Sequence, residues 1–202
     1  DLKLKRTQFI VVTPTHELAK QIYEVTKELS KYIDVSICKV IGKTNFNESI
    51  SELRKDPQII IATPGRLIDM INRNYIYTNE IKSFILDEAD EMLSSGFMDT
   101  IYNIIQKLPK TTQMLLFSAT LPSEVLNLTK HFMNNPESLL INKEELTLEG
   151  IKQFYINLEH NEYKYETLCD LYDLCSVSQT IIYCNSRTMV EELYRRLCED
   201  NF

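Results

Sequence analysis

Seven short apolar, β-prone runs recur along the chain, at residues 9–13, 35–40, 59–63, 84–86, 114–118, 139–141 and 181–184. Several are continuous rather than alternating, which suits strands buried on both faces of a parallel sheet. Helical spacing lies between them. Leu18, Ile22, Val25 and Leu29 fall on one helix face, and Leu67, Met70 and Ile71 begin a second. Ile101, Ile104, Ile105 and Leu108 mark a third, stopped by Pro109, and Leu121-Pro122-Ser123-Glu124 opens a fourth. Strands alternating with helices predict an α/β fold, a doubly wound parallel sheet.

Residues 143–150 read as a linker, charged and ending in Gly150. Residues 1–142 before it form most of one domain. Residues 151–202 after it hold an alternating stretch (Phe154, Ile156, Leu158), a helix, the run at 181–184 and a last helix with Val190, Leu193 and Leu197. That is the expected start of a second α/β domain, incomplete at 202 residues. No short-period repeat and no low-complexity segment interrupts this plan.

Charge follows the same boundary. The net charge of −7 is uneven, with 16 Lys+Arg against 17 Asp+Glu up to residue 142 and 6 against 12 beyond it. The first part is nearly neutral, so a local basic face remains open to it despite the acidic total. No apolar run approaches the ~20 residues of a membrane helix, and Asp1 to Arg6 carry no apolar core of a signal peptide. Five cysteines (Cys38, Cys169, Cys175, Cys184 and Cys198), none at two-residue metal spacing, read as reduced thiols of a cytosolic or nuclear protein.

Ligands of open α/β sheets bind beyond the carboxyl ends of the strands, and there the chain places its unusual residues. Thr13-Pro14-Thr15, Thr63-Pro64-Gly65-Arg66, Asp87-Glu88-Ala89-Asp90, Ser118-Ala119-Thr120 and Asn185-Ser186-Arg187 each follow an apolar run, and together they are expected to line one edge of one sheet. Asp87 and Glu88 suit a magnesium ion with phosphates and a water-activating base, although taken alone such a pair more often marks a helix start where acids complement the dipole. Ser118 and Thr120 either hydrogen-bond to that acidic cluster or cap the next helix. Gly65 and Arg66 offer close backbone approach and a phosphate-binding fork, or else an ordinary first turn with a solvated arginine. Gly42-Lys43-Thr44 imitates the end of a phosphate-binding loop, but position 37 is Ile37 where that loop needs glycine, so residues 1–202 contain no such loop.

Taken in order, these motifs resemble those of the DEAD-box RNA helicases, and among them the group of eukaryotic translation initiation factor 4A. Asp87-Glu88-Ala89-Asp90 is similar to the motif that names the family. Pro14-Thr15-His16-Glu17-Leu18-Ala19, Thr63-Pro64-Gly65-Arg66, Ser118-Ala119-Thr120, the linker around Leu146 to Ile151, and Ile182 to Arg187 resemble its further motifs, across essentially the whole chain. The resemblance implies RecA-like domains, ATP and Mg²⁺ as cofactors, and RNA-stimulated ATP hydrolysis coupled to local duplex unwinding. It implies that Asp87 holds the metal through water and that Glu88 activates the hydrolytic water. By the same resemblance Asp90, Ser118 and Thr120 couple the nucleotide side to the RNA side. Pro14, Thr15, Gly42, Thr63, Gly65 and Arg66 then contact the RNA sugar–phosphate backbone, and Asn185 and Arg187 touch RNA from the second domain. Such contacts carry no direct sequence readout.

Scaffold proteins of translation initiation or mRNA processing are the further partners implied, in the cytoplasm or the nucleus. Two departures stand out: His16 replaces the family's arginine, and Lys43 replaces the second glycine of a pair. The family's phosphate-binding loop would precede Asp1 and its arginine finger would follow Phe202, so residues 1–202 by themselves are expected to be inactive. The rival readings are a non-catalytic RNA clamp of the same ancestry and, from another class, an acidic-pocket signalling domain of flavodoxin-like topology.

Overall fold

The computed structural model describes residues 1–42, 45–94, 96–120, 129, 132–133, 135–140, 150–175 and 178–202. The chain divides into two compact units, Asp1–Ser138 and Leu139–Phe202.

The first unit is built on a five-stranded parallel sheet of β1 (Phe9–Val12), β2 (Ile37–Val40), β3 (Ile59–Ala62), β4 (Ser83–Leu86) and β5 (Gln113–Leu116), in the order β2-β3-β1-β4-β5. Register is continuous across it: Ile10 lies opposite Ile60 on one side and Phe84 on the other, and Phe84 lies opposite Met114. The connection leaving β1 runs toward the β2 edge and the one leaving β4 runs toward the β5 edge. The switch point, where open sheets bind ligands, therefore lies between the carboxyl ends of β1 and β4.

Both faces are covered, which explains the continuous apolar runs. Ile10, Val12, Val40, Ile60, Ala62, Phe84 and Leu86 turn to one face. They pack there with residues of α2 (Phe46–Leu53), α3 (Pro64–Asn72), α4 (Ala89–Ser94) and α5 (Met98–Ile105). Ile61, with Val11, Ile37 and Ile59, turns to the other and meets Ala19, Ile22 and Tyr23 of α1 (His16–Leu29). The spacing of Leu18, Ile22, Val25 and Leu29 finds its helix in α1, although Val25 and Leu29 stay exposed. Helix α2 lies where the sequence reading places none; Asn45, Phe46, Ile50 and Leu53 carry its signal, a cap followed by apolar residues at four- and three-residue steps. The helix expected from Leu121 falls among residues outside those described.

At the amino ends of the strands two glutamines are almost fully buried. Gln8 Nε2 donates to the carbonyls of Asp1 and Leu4, and Gln58 Nε2 donates to that of Leu2 at 3.0 Å. Each buried amide is thus satisfied, and residues 1–4 are tied across the sheet's lower edge.

Among its described residues the second unit has a 3₁₀ turn (Asn161–Tyr163), α6 (Lys164–Leu174) and α7 (Arg187–Glu199). The strands expected at 139–141 and 181–184 differ from what is found. Residues 139, 140 and 181–184 carry no β pairing, residue 141 lies outside the described residues, and the alternating stretch at 154–158 is likewise not in a strand. A strand needs a hydrogen-bonded partner, and among the described residues of this unit there is none. Asn185 to Arg187 thus belong to no sheet edge shared with the first unit's motifs, contrary to the expectation of one common edge.

Cys38 of β2 is buried, and that burial, aided by Glu52, pushes its thiol up to about 12. At pH 8 only roughly one molecule in ten thousand then carries the reactive thiolate. Treatment of the native chain with a thiolate-directed reagent, read by peptide mass, should label the exposed Cys175 and Cys198 while sparing Cys38 until denaturant is added. Labelling of Cys38 as fast as Cys175 would contradict its placement.

Candidate functional site

Four of the motifs meet at the carboxyl edge of the first unit's sheet, because all five strands run the same way. The Asp87 amide donates to the Val12 carbonyl and the Thr13 amide to the Ala62 carbonyl, both at 3.0 Å, so the ends of β4, β1 and β3 are held side by side.

The acidic turn has an unusual backbone. Glu88 sits at φ 54°, in the left-handed region that costs a non-glycine residue roughly 1–2 kcal/mol. Its amide donates to Asp87 Oδ1 at 3.1 Å, and its carbonyl accepts the Met92 amide as α4 begins. The Ala89 amide donates to the Phe117 carbonyl, pinning this turn to the end of β5. Asp87 thus hydrogen-bonds within the turn itself, while Glu88 is left exposed at the edge. Sequence reasoning had no signal for the left-handed turn, since neither glycine nor asparagine marks it.

Ser118 and Thr120 engage the acidic cluster. The Asp90 amide donates to Ser118 Oγ at 3.2 Å, Ser118 Oγ donates to the Thr120 carbonyl at 2.6 Å, and Thr120 Oγ1 donates to the Asp90 carboxylate. Partial burial pushes Asp90 up. Hydrogen bonds from Thr120, Ser118 and the amides of Glu91 and Asp90 outweigh that push and hold the carboxyl below its usual range. A lowered pKa means the unfolded chain binds the proton more readily. The stability this contributes is complete above the unfolded value near 3.9 and disappears as pH falls through the folded one. Urea titrations of wild type and Asp90→Asn between pH 3 and pH 7 should differ by a constant amount above about pH 5 and converge toward pH 3. A gap that widens on acidification would contradict this sign.

The other turns form a second group. Gly42 donates its amide to Thr63 Oγ1 at 3.3 Å, and a Cβ at Gly42 would lie 3.1 Å from His16 Nε2. A side chain at position 42 would therefore press on the His16 ring. Thr15 caps α1 by accepting the Leu18 amide at 3.2 Å, and Pro14 beside it is half-buried. Thr63, committed to Gly42, gives α3 no side-chain cap. Pro64 fills the first helical position, Gly65 is open to solvent with nothing within 4 Å of an added Cβ, and Arg66 follows. Amino-terminal turns of helices favour anions, and α1 and α3 both begin on this edge.

In the second unit Asn185 and Arg187 are exposed, with Ser186 between them capping α7 by accepting the Met189 amide at 3.2 Å. Lys43 and Thr44 lie outside the described residues. Among the described residues no three His, Cys, Asp or Glu side chains gather to hold a metal by themselves, and no helix is long and apolar enough to cross a membrane.

The chain is similar to known proteins. A family model described as DEAD/DEAH box helicase matches residues 1–128. The ATP-dependent RNA helicase eIF4A of Candida albicans is 52% identical over 198 residues, covering 98% of this chain and 50% of that protein. Its counterpart in Saccharomyces cerevisiae is 52% identical over 202 residues, covering 100% and 51%. The chain thus spans about half the length of the curated relatives it matches. Among solved structures, Saccharomyces cerevisiae Dbp5 bound to RNA and ADP BeF3 superposes with a TM-score of 0.85 at 30% identity, over 99% of this chain and 50% of that one.

Proposed function

This chain belongs to the DEAD/DEAH box helicase family, and from that premise we propose that it supplies the acidic and RNA-facing edge of an ATP-dependent RNA helicase. The supporting observation is that the Asp90–Ser118–Thr120 hydrogen bonds tie the acidic turn to the end of β5, on the same sheet edge as the Thr15, Gly42 and Thr63 turns.

In this reading Glu88 takes the proton from the water that attacks the terminal phosphate of ATP, and ADP leaves. Asp87 presents a hard carboxylate oxygen, the donor magnesium prefers. Magnesium takes only one or two carboxylates and completes its shell with water and nucleotide phosphates. Magnesium, when bound, neutralises charge on those phosphates. Asp90, Ser118 and Thr120 transmit the state of this acidic turn to the RNA side. There Pro14, Thr15, Gly42, Thr63, Gly65 and Arg66 bind the sugar–phosphate backbone through amides, hydroxyls and one guanidinium, without reading sequence. Asn185 and Arg187 add contacts from the second unit. ATP-driven closure on one RNA strand then separates a short duplex. We place this work in the cytoplasm, in translation initiation or mRNA processing, with scaffold proteins as partners. The test is RNA-stimulated ATP hydrolysis by the full-length protein, compared with its Glu88→Gln variant.

A further inference from the structure

One cluster of the first unit sets two residues without a role so far, Phe46 and Ser49, against Arg66. Helix α2 presents Phe46 and Ser49, one turn apart and so on one face, to the first turn of α3. The Arg66 guanidinium carbon lies 5.5 Å from the centre of the Phe46 ring, and Arg66 Nη1 donates to Ser49 Oγ at 3.5 Å. Arg73 approaches the same ring at 5.1 Å, its charge met by a 2.7 Å ion pair with Asp69. The ring is itself fixed: it is half-buried against the core and meets the Tyr75 ring edge-on at 6.3 Å.

We infer that Phe46 is a positioning residue for Arg66, its ring setting the guanidinium at the amino end of α3 where an RNA phosphate meets it. The inference rests on the RNA reading above. An arginine on a free stem loses rotamer freedom when it binds, whereas one already stacked on an aromatic ring has lost much of it beforehand. An aromatic ring meets a guanidinium through its plane, whereas phosphate meets it through the N–H groups at its edge. Ser49, only 5% exposed, holds one of those edges from the α2 side.

The experiment measures binding of a fluorescent single-stranded oligouridylate to the full-length protein across a range of salt concentrations. Arg66→Ala should weaken binding about tenfold and reduce the salt slope by about 0.7, one phosphate's worth on a single strand. Phe46→Leu, which keeps an apolar side chain but no ring, should weaken it about three- to tenfold, and Phe46→Tyr should restore it to within about twofold. In the Arg66→Ala background Phe46→Leu should cost nothing further. An equal loss with and without Arg66, or no loss from Phe46→Leu where Arg66→Ala weakens binding, overturns the inference alone. Wild type that binds no RNA, or Arg66→Ala that binds like wild type, overturns the RNA reading beneath it. Should Phe46→Leu unfold the protein, the wild-type spectrum decides: the Arg66 Nε–H proton, assigned by its loss in Arg66→Ala, is expected upfield of solvated arginines through the ring current. A solvated position there overturns the inference.

Discussion

Glu88→Gln in the full-length protein is expected to lower RNA-stimulated ATP turnover by about 10²–10⁴-fold, the usual contribution of a general base. The substitution is nearly isosteric and changes what the side chain can do, since an amide does not take up a proton at neutral pH. Structure limits the side effects. The side chain is exposed, and the bonds that hold the turn run through the Glu88 amide and carbonyl, which glutamine keeps. The left-handed backbone at φ 54° is as costly for glutamine as for glutamate, so the thermal midpoint should not move. Initial rates at saturating ATP and RNA, beside a melting curve, check both halves. Turnover within about threefold of wild type would remove Glu88 from the proton-transfer role.

Phe84→Ala should cost about 3–5 kcal/mol of unfolding free energy, as truncations of fully buried phenylalanines do. Phe84 is 0% exposed on β4, opposite Ile10 of β1 and Met114 of β5, with Met70, Met92, Ile101 and Ile104 in the same cluster. Removing its ring opens a cavity in the middle of the sheet, among groups fixed by their own strands and helices and so poorly able to collapse. Domains are stable by only about 5–15 kcal/mol, so this one change removes a large part of the margin. It also loosens β4, whose last residue leads into Asp87. Urea unfolding of wild type and variant checks the magnitude, and a loss below about 1 kcal/mol would contradict the placement of Phe84.

Much of the first unit was legible because its strands are short and covered on both faces. FIVV, IIIA and SFIL could be recognised from apolarity alone, and the parallel direction followed from the helices between them. Parallel direction then brings Thr13, Gly42, Thr63, Asp87 and Ser118 to one edge regardless of their distance in sequence. Other features depend on three-dimensional neighbours. Helix α2 is largely polar outside Phe46, Ile50 and Leu53, and its contact with Arg66 crosses 20 residues of sequence. The choice between capping and bonding for Ser118 and Thr120 turned on where Asp90 sits, 30 residues from Thr120. The run at 181–184 has strand composition, but Ile181 and Tyr183 remain exposed and no partner pairs with them among the described residues. Composition favours a strand; only a neighbour completes it.

If one sheet edge joins nucleotide chemistry to RNA, as proposed, RNA must change the rate of that chemistry. The most direct measurement is the initial rate of ATP hydrolysis by the full-length protein with and without saturating single-stranded RNA. The rate should be slow alone and rise severalfold or more when RNA is added. Hydrolysis at the same rate in both conditions would contradict it.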